Sequence, residues 1–195
     1  DGNSSGTIGR TMLVVKIEGS DITSVASQDL GELTIELFDT LDPGEWAPSF
    51  VAETFDDRML RLSDLQGKLV VINFWNTYSA ASMAENSTWA ATWIQELADD
   101  PRLAVVSISA EERKEAAAEA LGQVNWPWLQ IYAGPLYTKI PSDYAVRSLP
   151  ANFIIAPNGR VLKKNVAAAD MANVVSELLR DEKLFAEQDE LPPAR

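Results

Sequence analysis

Hydrophobic runs and polar breaks divide this chain into short alternating elements. Seven consecutive residues, Leu69-Val70-Val71-Ile72-Asn73-Phe74-Trp75, are nearly all apolar and follow Gly67, which predicts a strand buried on both faces. A second run of that kind, Leu103–Ser109, follows Pro101. Between them Trp89, Trp93 and Leu97 recur every four residues, predicting a helix over about Ala80–Ala98 with the tryptophans in the core. Glu111–Leu121 is rich in Ala and Glu and ends before Gly122, so it reads as a second helix.

Trp126-Pro127-Trp128 leads into a weaker strand, Leu129–Tyr132. Asn152–Ala156 and Arg160–Asn165 flank Pro157-Asn158-Gly159, the pattern of an antiparallel hairpin. Asp170 is placed to cap a last helix reaching about Arg180. Ahead of the main run, Arg58–Leu62 predicts a short strand and Ser63-Asp64-Leu65 a turn of helix.

The first part of the chain differs in character. Residues 1–9 are small and polar, Thr11–Glu18 and Glu32–Phe38 predict two strands, and Asp42-Pro43-Gly44-Glu45-Trp46-Ala47-Pro48 breaks regular structure. The expected organisation is an acidic extension with two strands over 1–45, an α/β domain over 46–182, and a charged tail over 183–195. A start at Asp1 rather than Met reads as a processed or truncated product.

Charge sharpens that division. The net charge is −13, and residues 1–57 hold 12 Asp/Glu against 2 Lys/Arg, while residues 58–195 hold 17 against 14. This balance opposes binding to nucleic acid phosphates or anionic lipid. The chain has neither Cys nor His, which removes the usual ligands of zinc, copper, haem and iron–sulfur centres and excludes a Ser-His-Asp nucleophile. No cofactor is expected, and no stretch has the apolar length of a membrane-spanning helix.

The segment Trp75-Asn76-Thr77-Tyr78-Ser79-Ala80-Ala81-Ser82 joins the first buried strand to its helix. Together with Ala47-Pro48-Ser49-Phe50, Leu62-Ser63-Asp64-Leu65-Gln66-Gly67-Lys68, and Leu149-Pro150-Ala151-Asn152-Phe153-Ile154-Ile155 followed by Pro157-Asn158-Gly159-Arg160, it resembles the thioredoxin-like superfamily. Within it the resemblance is to the extracytoplasmic TlpA/ResA branch allied to the AhpC/TSA redoxins, over about residues 46–182. It implies a thioredoxin-like α/β fold, a central mixed β-sheet flanked by helices, here with an N-terminal β extension. It also implies a cis proline at Pro150 and a periplasmic or cell-envelope location.

In that family the positions of Ser79 and Ser82 carry the two redox cysteines, and the position of Glu85 carries a glutamate that tunes them. Tyr78 stands for a tryptophan and Ala81 for a common proline, and a further proline after the glutamate is also absent. A disulfide exchanger needs a thiolate at the helix N-terminus and a second cysteine to resolve the mixed disulfide. Serine supplies neither. Ser79 is therefore expected as the helix N-cap, Ser82 as a small residue facing the same surface, and Glu85 as a surface or first-turn glutamate favoured by the helix dipole.

The expected role is a redox-inactive protein-binding or structural module. Its groove would comprise Trp75, Tyr78, Ser79, Ser82, Leu149 and Pro150 and would take a protein or extended peptide. The alternative is a thiol-disulfide oxidoreductase whose two cysteines have been exchanged for serine. The sequons at Asn3 and Asn86 are short and common by chance, and the second is assigned no glycosylation because it falls within a predicted helix.

Overall fold

The structure, a computed structural model, describes residues 40–92, 97 and 99–186. The expected strands Thr11–Glu18 and Glu32–Phe38, Trp93, and the end of the charged tail lie outside these residues.

The unbroken apolar runs form the two central strands. Strands β1 (Val51–Glu53) and β2 (Met59–Arg61) make a small antiparallel pair, and a single 3-10 turn at Leu62–Leu65 leads to β3 (Leu69–Trp75). Helix α1 (Ala80–Ala91), β4 (Leu103–Ser109), α2 (Lys114–Leu121) and β5 (Leu129–Tyr132) follow. Then come α3 (Lys139–Asp143), the hairpin β6 (Ala151–Ile155) and β7 (Val161–Lys164), α4 (Ala168–Arg180) and α5 (Glu182–Ala186). The main sheet runs in the order β5-β4-β3-β6-β7. β3, β4 and β5 are mutually parallel, while β6 is antiparallel to β3 and β7 to β6. This is the mixed thioredoxin-like sheet with flanking helices that the resemblance implies.

Strand alternation sends each run's side chains to two layers. Val70, Ile72 and Phe74 of β3 join Val106, Ile108, Ile131, Phe153 and Tyr144 on one face. Leu69 and Val71 face the other way, packing with Trp89 of α1 and with Met171, Val175 and Leu179, which recur every fourth residue along α4. Burial of each such large apolar side chain contributes about 1.5–3 kcal/mol. Tyr144 Oη donates to Pro48 O at 2.9 Å, which fastens the segment before β1 to this core.

The hairpin turns through Pro157-Asn158-Gly159, where Gly159 has φ +94°. A Cβ at Gly159 would lie 3.6 Å from the Trp46 ring, an ordinary contact, so it is the backbone conformation that suits glycine there. Residues before 46 also pair with the hairpin: Gly44 N–H donates to Val161 O at 2.8 Å, and Lys164 Nζ contacts Asp42 Oδ1 at 2.5 Å. The structural pairing thus begins ahead of the boundary expected at residue 46.

Three helix boundaries depart from expectation. α1 ends at Ala91: Thr92 leaves the helical conformation (φ −110°, ψ −87°), and its hydroxyl bonds back to Thr88 O at 2.7 Å, which competes with the backbone ladder. α2 starts at Lys114 rather than Glu111, because Glu111 is committed to a contact described below. α4 is capped at Ala167, without a side-chain hydrogen bond. Asp170 instead lies in its first turn, where a carboxylate suits the positive end of the helix dipole.

Candidate functional site

The antiparallel pairing of β3 with β6 sets Phe74 opposite Ala151, so the end of β3 meets the loop entering β6. That loop contains a cis Leu149–Pro150 peptide bond, as the resemblance implies. Beyond Trp75 the chain turns through Asn76-Thr77-Tyr78. Asn76 Oδ1 accepts from Ser79 N–H at 2.9 Å, a side-chain turn that starts α1. Ser79 then adopts the extended N-cap conformation, and its Oγ accepts from Ser82 N–H at 3.1 Å. The Ser79 hydroxyl also faces Leu149 O at 3.5 Å across the groove.

The expected groove residues separate into two groups. Tyr78 is 82% exposed, and Ser79, Leu149 and Pro150 are half-buried beside it. Trp75 and Ser82 are fully buried. Trp75 packs edge-on against Trp126, with ring centroids 5.0 Å apart. Ser82 lies on the inward face of α1 rather than sharing the surface of Ser79, because a residue three positions into the helix comes round toward the sheet.

Glu85 departs further from expectation, being only 8% exposed. Burial pushes its carboxyl above the ordinary value of 4.5, partly offset by a hydrogen bond donated from Asn152 Nδ2 at 3.3 Å. Asn152 is itself fixed by the Val166 backbone: its Nδ2 donates to Val166 O at 2.9 Å, and its Oδ1 accepts from Val166 N–H at 2.8 Å. Asn86, the next residue, is also buried and accepts from Asn73 Nδ2 at 2.6 Å, so its side chain is engaged in the interior.

Sequence reasoning missed a second acid. Glu111, 1% exposed at the end of β4, accepts the Thr77 N–H with its carboxylate and so holds the loop that presents Tyr78. It also missed the polar group formed by Asn73, Asn86 and Ser107. The available signal was the presence of polar residues, Asn73 and Ser107, inside the two apolar runs.

Chemically, the exposed site offers a hydroxyl, a tyrosine ring and backbone groups beside Pro150. The contacts of Ser79 Oγ are the Ser82 amide and the Leu149 carbonyl, neither of which is a base that could ionise it. The arrangement contains no thiol, so it has no group that could exchange with a disulfide.

Similarity to known proteins follows the same geometry. The chain is 29% identical over 125 residues to the thiol-disulfide oxidoreductase ResA of Bacillus cereus, covering 62% of this chain and 68% of that protein. It is 26% identical over 138 residues to the thiol:disulfide interchange protein DsbE of Xylella fastidiosa, covering 70% and 67% respectively. Its fold is similar to that of a thiol-disulfide oxidoreductase from Bacteroides fragilis, with a TM-score of 0.63 and 21% identity over 69% of this chain and 99% of that one. Residues 43–164, a span well over half the chain and containing the Ser79 turn, Glu85, Glu111 and Pro150, match the AhpC/TSA family, and the chain belongs to that family.

Proposed function

We propose that this domain is a redox-silent member of its family that binds a protein or an extended peptide in the cell envelope. The observation that carries the reading is Ser79 at the helix N-terminus, beside the Leu149 carbonyl and Pro150, in a chain with no cysteine. A dithiol enzyme would place its attacking thiolate at that turn. Here the N-cap, the proline loop and an exposed tyrosine remain, while the exchange chemistry is gone.

The envelope location rests on similarity to ResA and DsbE, which are named for thiol-disulfide chemistry. The net charge of −13 supports a polypeptide partner over a nucleic acid. The alternative, an active oxidoreductase stripped of its two cysteines, is opposed by Tyr78 and Ala81, which also depart from the family pattern without affecting sulfur.

The test is insulin reduction by dithiothreitol, with and without the domain. The expected rate equals that of the reductant alone, and turnover above it would reject the proposal. The double variant Ser79→Cys/Ser82→Cys provides the comparison. If it gained full family-like activity, the remaining substitutions would be inconsequential and the alternative would gain ground.

A further inference from the structure

Four polar side chains cross the main sheet in register. Gln130 of β5 is opposite Ser107 of β4, Ser107 is opposite Asn73 of β3, and Asn73 is opposite Asn152 of β6. Strand alternation places this row on the face covered by α1, in line with the apolar Leu69, Val71 and Val105. From the helix, Ser82, Glu85 and Asn86 project toward it at helical spacing.

Part of this layer is bonded directly. Asn73 Nδ2 donates to Asn86 Oδ1, Ser107 Oγ donates to Asn73 Oδ1, and Trp128 Nε1 donates to Ser107 Oγ at 2.6 Å. These bonds fix the orientation of Asn86. Turning its amide over would set an N–H group against the Asn73 donor, so Asn86 Nδ2 points away from that partner. Ser107 has one proton, already committed to Asn73.

Further buried side-chain atoms on this face are out of contact with bulk solvent and have no hydrogen-bond partner in the protein: Ser82 Oγ, Asn86 Nδ2, Ser109 Oγ, Trp75 Nε1 and both amide atoms of Gln130. A buried polar group left unpaired has lost its hydration with nothing in exchange. Their mixture of hydroxyls, an amide donor and an amide acceptor calls for a ligand that both donates and accepts. Ordered water is that ligand, making about three hydrogen bonds at a buried polar site.

We infer that α1 and the sheet enclose an internal hydration site in which ordered water is held by Ser82 Oγ and Asn86 Nδ2, one helical turn apart, with Ser109 on the facing strand layer. The site does not depend on whether the groove binds polypeptide.

The test uses the full chain. An atomic-resolution crystal structure is expected to show a water peak within hydrogen-bond distance of both Ser82 Oγ and Asn86 Nδ2. In solution, the Asn86 side-chain amide protons are expected to show a water cross-relaxation signal of long residence, lost in Ser82→Val, whose added methyl fills the space. Ser82→Ala, which removes the hydroxyl without adding bulk, is the second variant, and an unchanged signal in it would overturn the role of Ser82. The site is also overturned if Ser82 Oγ donates to a carbonyl one turn back in α1 with no water peak beside it and no water signal at Asn86.

Discussion

Asn152 Nδ2 donates to Glu85 Oε1 at 3.3 Å, setting a carboxyl from the second turn of α1 against the first residues of β6. One long hydrogen bond does not offset the loss of water around the carboxylate, so burial keeps the folded-state value above the ordinary 4.5. The folded state therefore holds this proton more tightly than the unfolded chain. Its stabilising contribution is complete below pH 4.5 and is lost as pH rises through the raised value. Glu85→Gln keeps the acceptor for Asn152 and removes the charge. Denaturant titrations are expected to show the variant gaining stability over the parent chain as pH rises from 4.5 toward neutrality, and a difference independent of pH would contradict this.

The N-cap at Ser79 has its own cost of removal. Ser79→Ala leaves the Ser82 amide without its side-chain acceptor and is expected to lower stability by about 1 kcal/mol, seen as a lower denaturation midpoint with unchanged slope. Ser79→Asp keeps a capping oxygen and is expected to retain most of that stability. Equal losses in the two variants would show that the cap contributes nothing.

Glu111 holds the Thr77 amide from the end of β4. An intramolecular hydrogen bond contributes about 0.5–1.5 kcal/mol, so Glu111→Ala is expected to speed hydrogen exchange at Thr77 by about two- to tenfold. Exchange in α4, on other supports, is expected to stay unchanged. Equal acceleration in both places would point to global destabilisation instead of a loop tether.

Asn73 and Asn86 form a buried pair at 2.6 Å. Truncating Asn86 to Ala leaves Asn73 Nδ2 without its acceptor, and truncating Asn73 removes the acceptor of Ser107 Oγ as well as the donor to Asn86; each is expected to cost about 1–3 kcal/mol. The double variant is expected to cost less than the sum of the singles, because the second truncation removes a group already left unpaired. Additive losses would mean the two amides act independently.

The strands were legible where local pattern sufficed. Leu69–Trp75 and Leu103–Ser109 occur as expected because unbroken apolar runs in a parallel sheet need both faces covered, and Pro157-Asn158-Gly159 turns the hairpin. β1 was not visible, since three residues hold no period, and Pro141 in the first turn of α3 masked that helix. Ser79 as N-cap could be read locally because capping spans only three residues. Glu85 could not: its partner Asn152 is 67 positions away, and a charged residue in an alanine-rich helix reads as solvated until the opposing strand is in place. Glu111 was misread for the same reason, its contact lying 34 positions back at Thr77.

The central claim, that the groove holds polypeptide without exchanging disulfides, is tested most directly by titrating the isotope-labelled chain with reduced, alkylated insulin B chain, which has no free thiol. Saturable amide shifts concentrated at Tyr78, Ser79, Leu149 and Ala151 are expected, weakened in Tyr78→Ala. No shifts at those residues, or shifts unaffected by Tyr78→Ala, would contradict it.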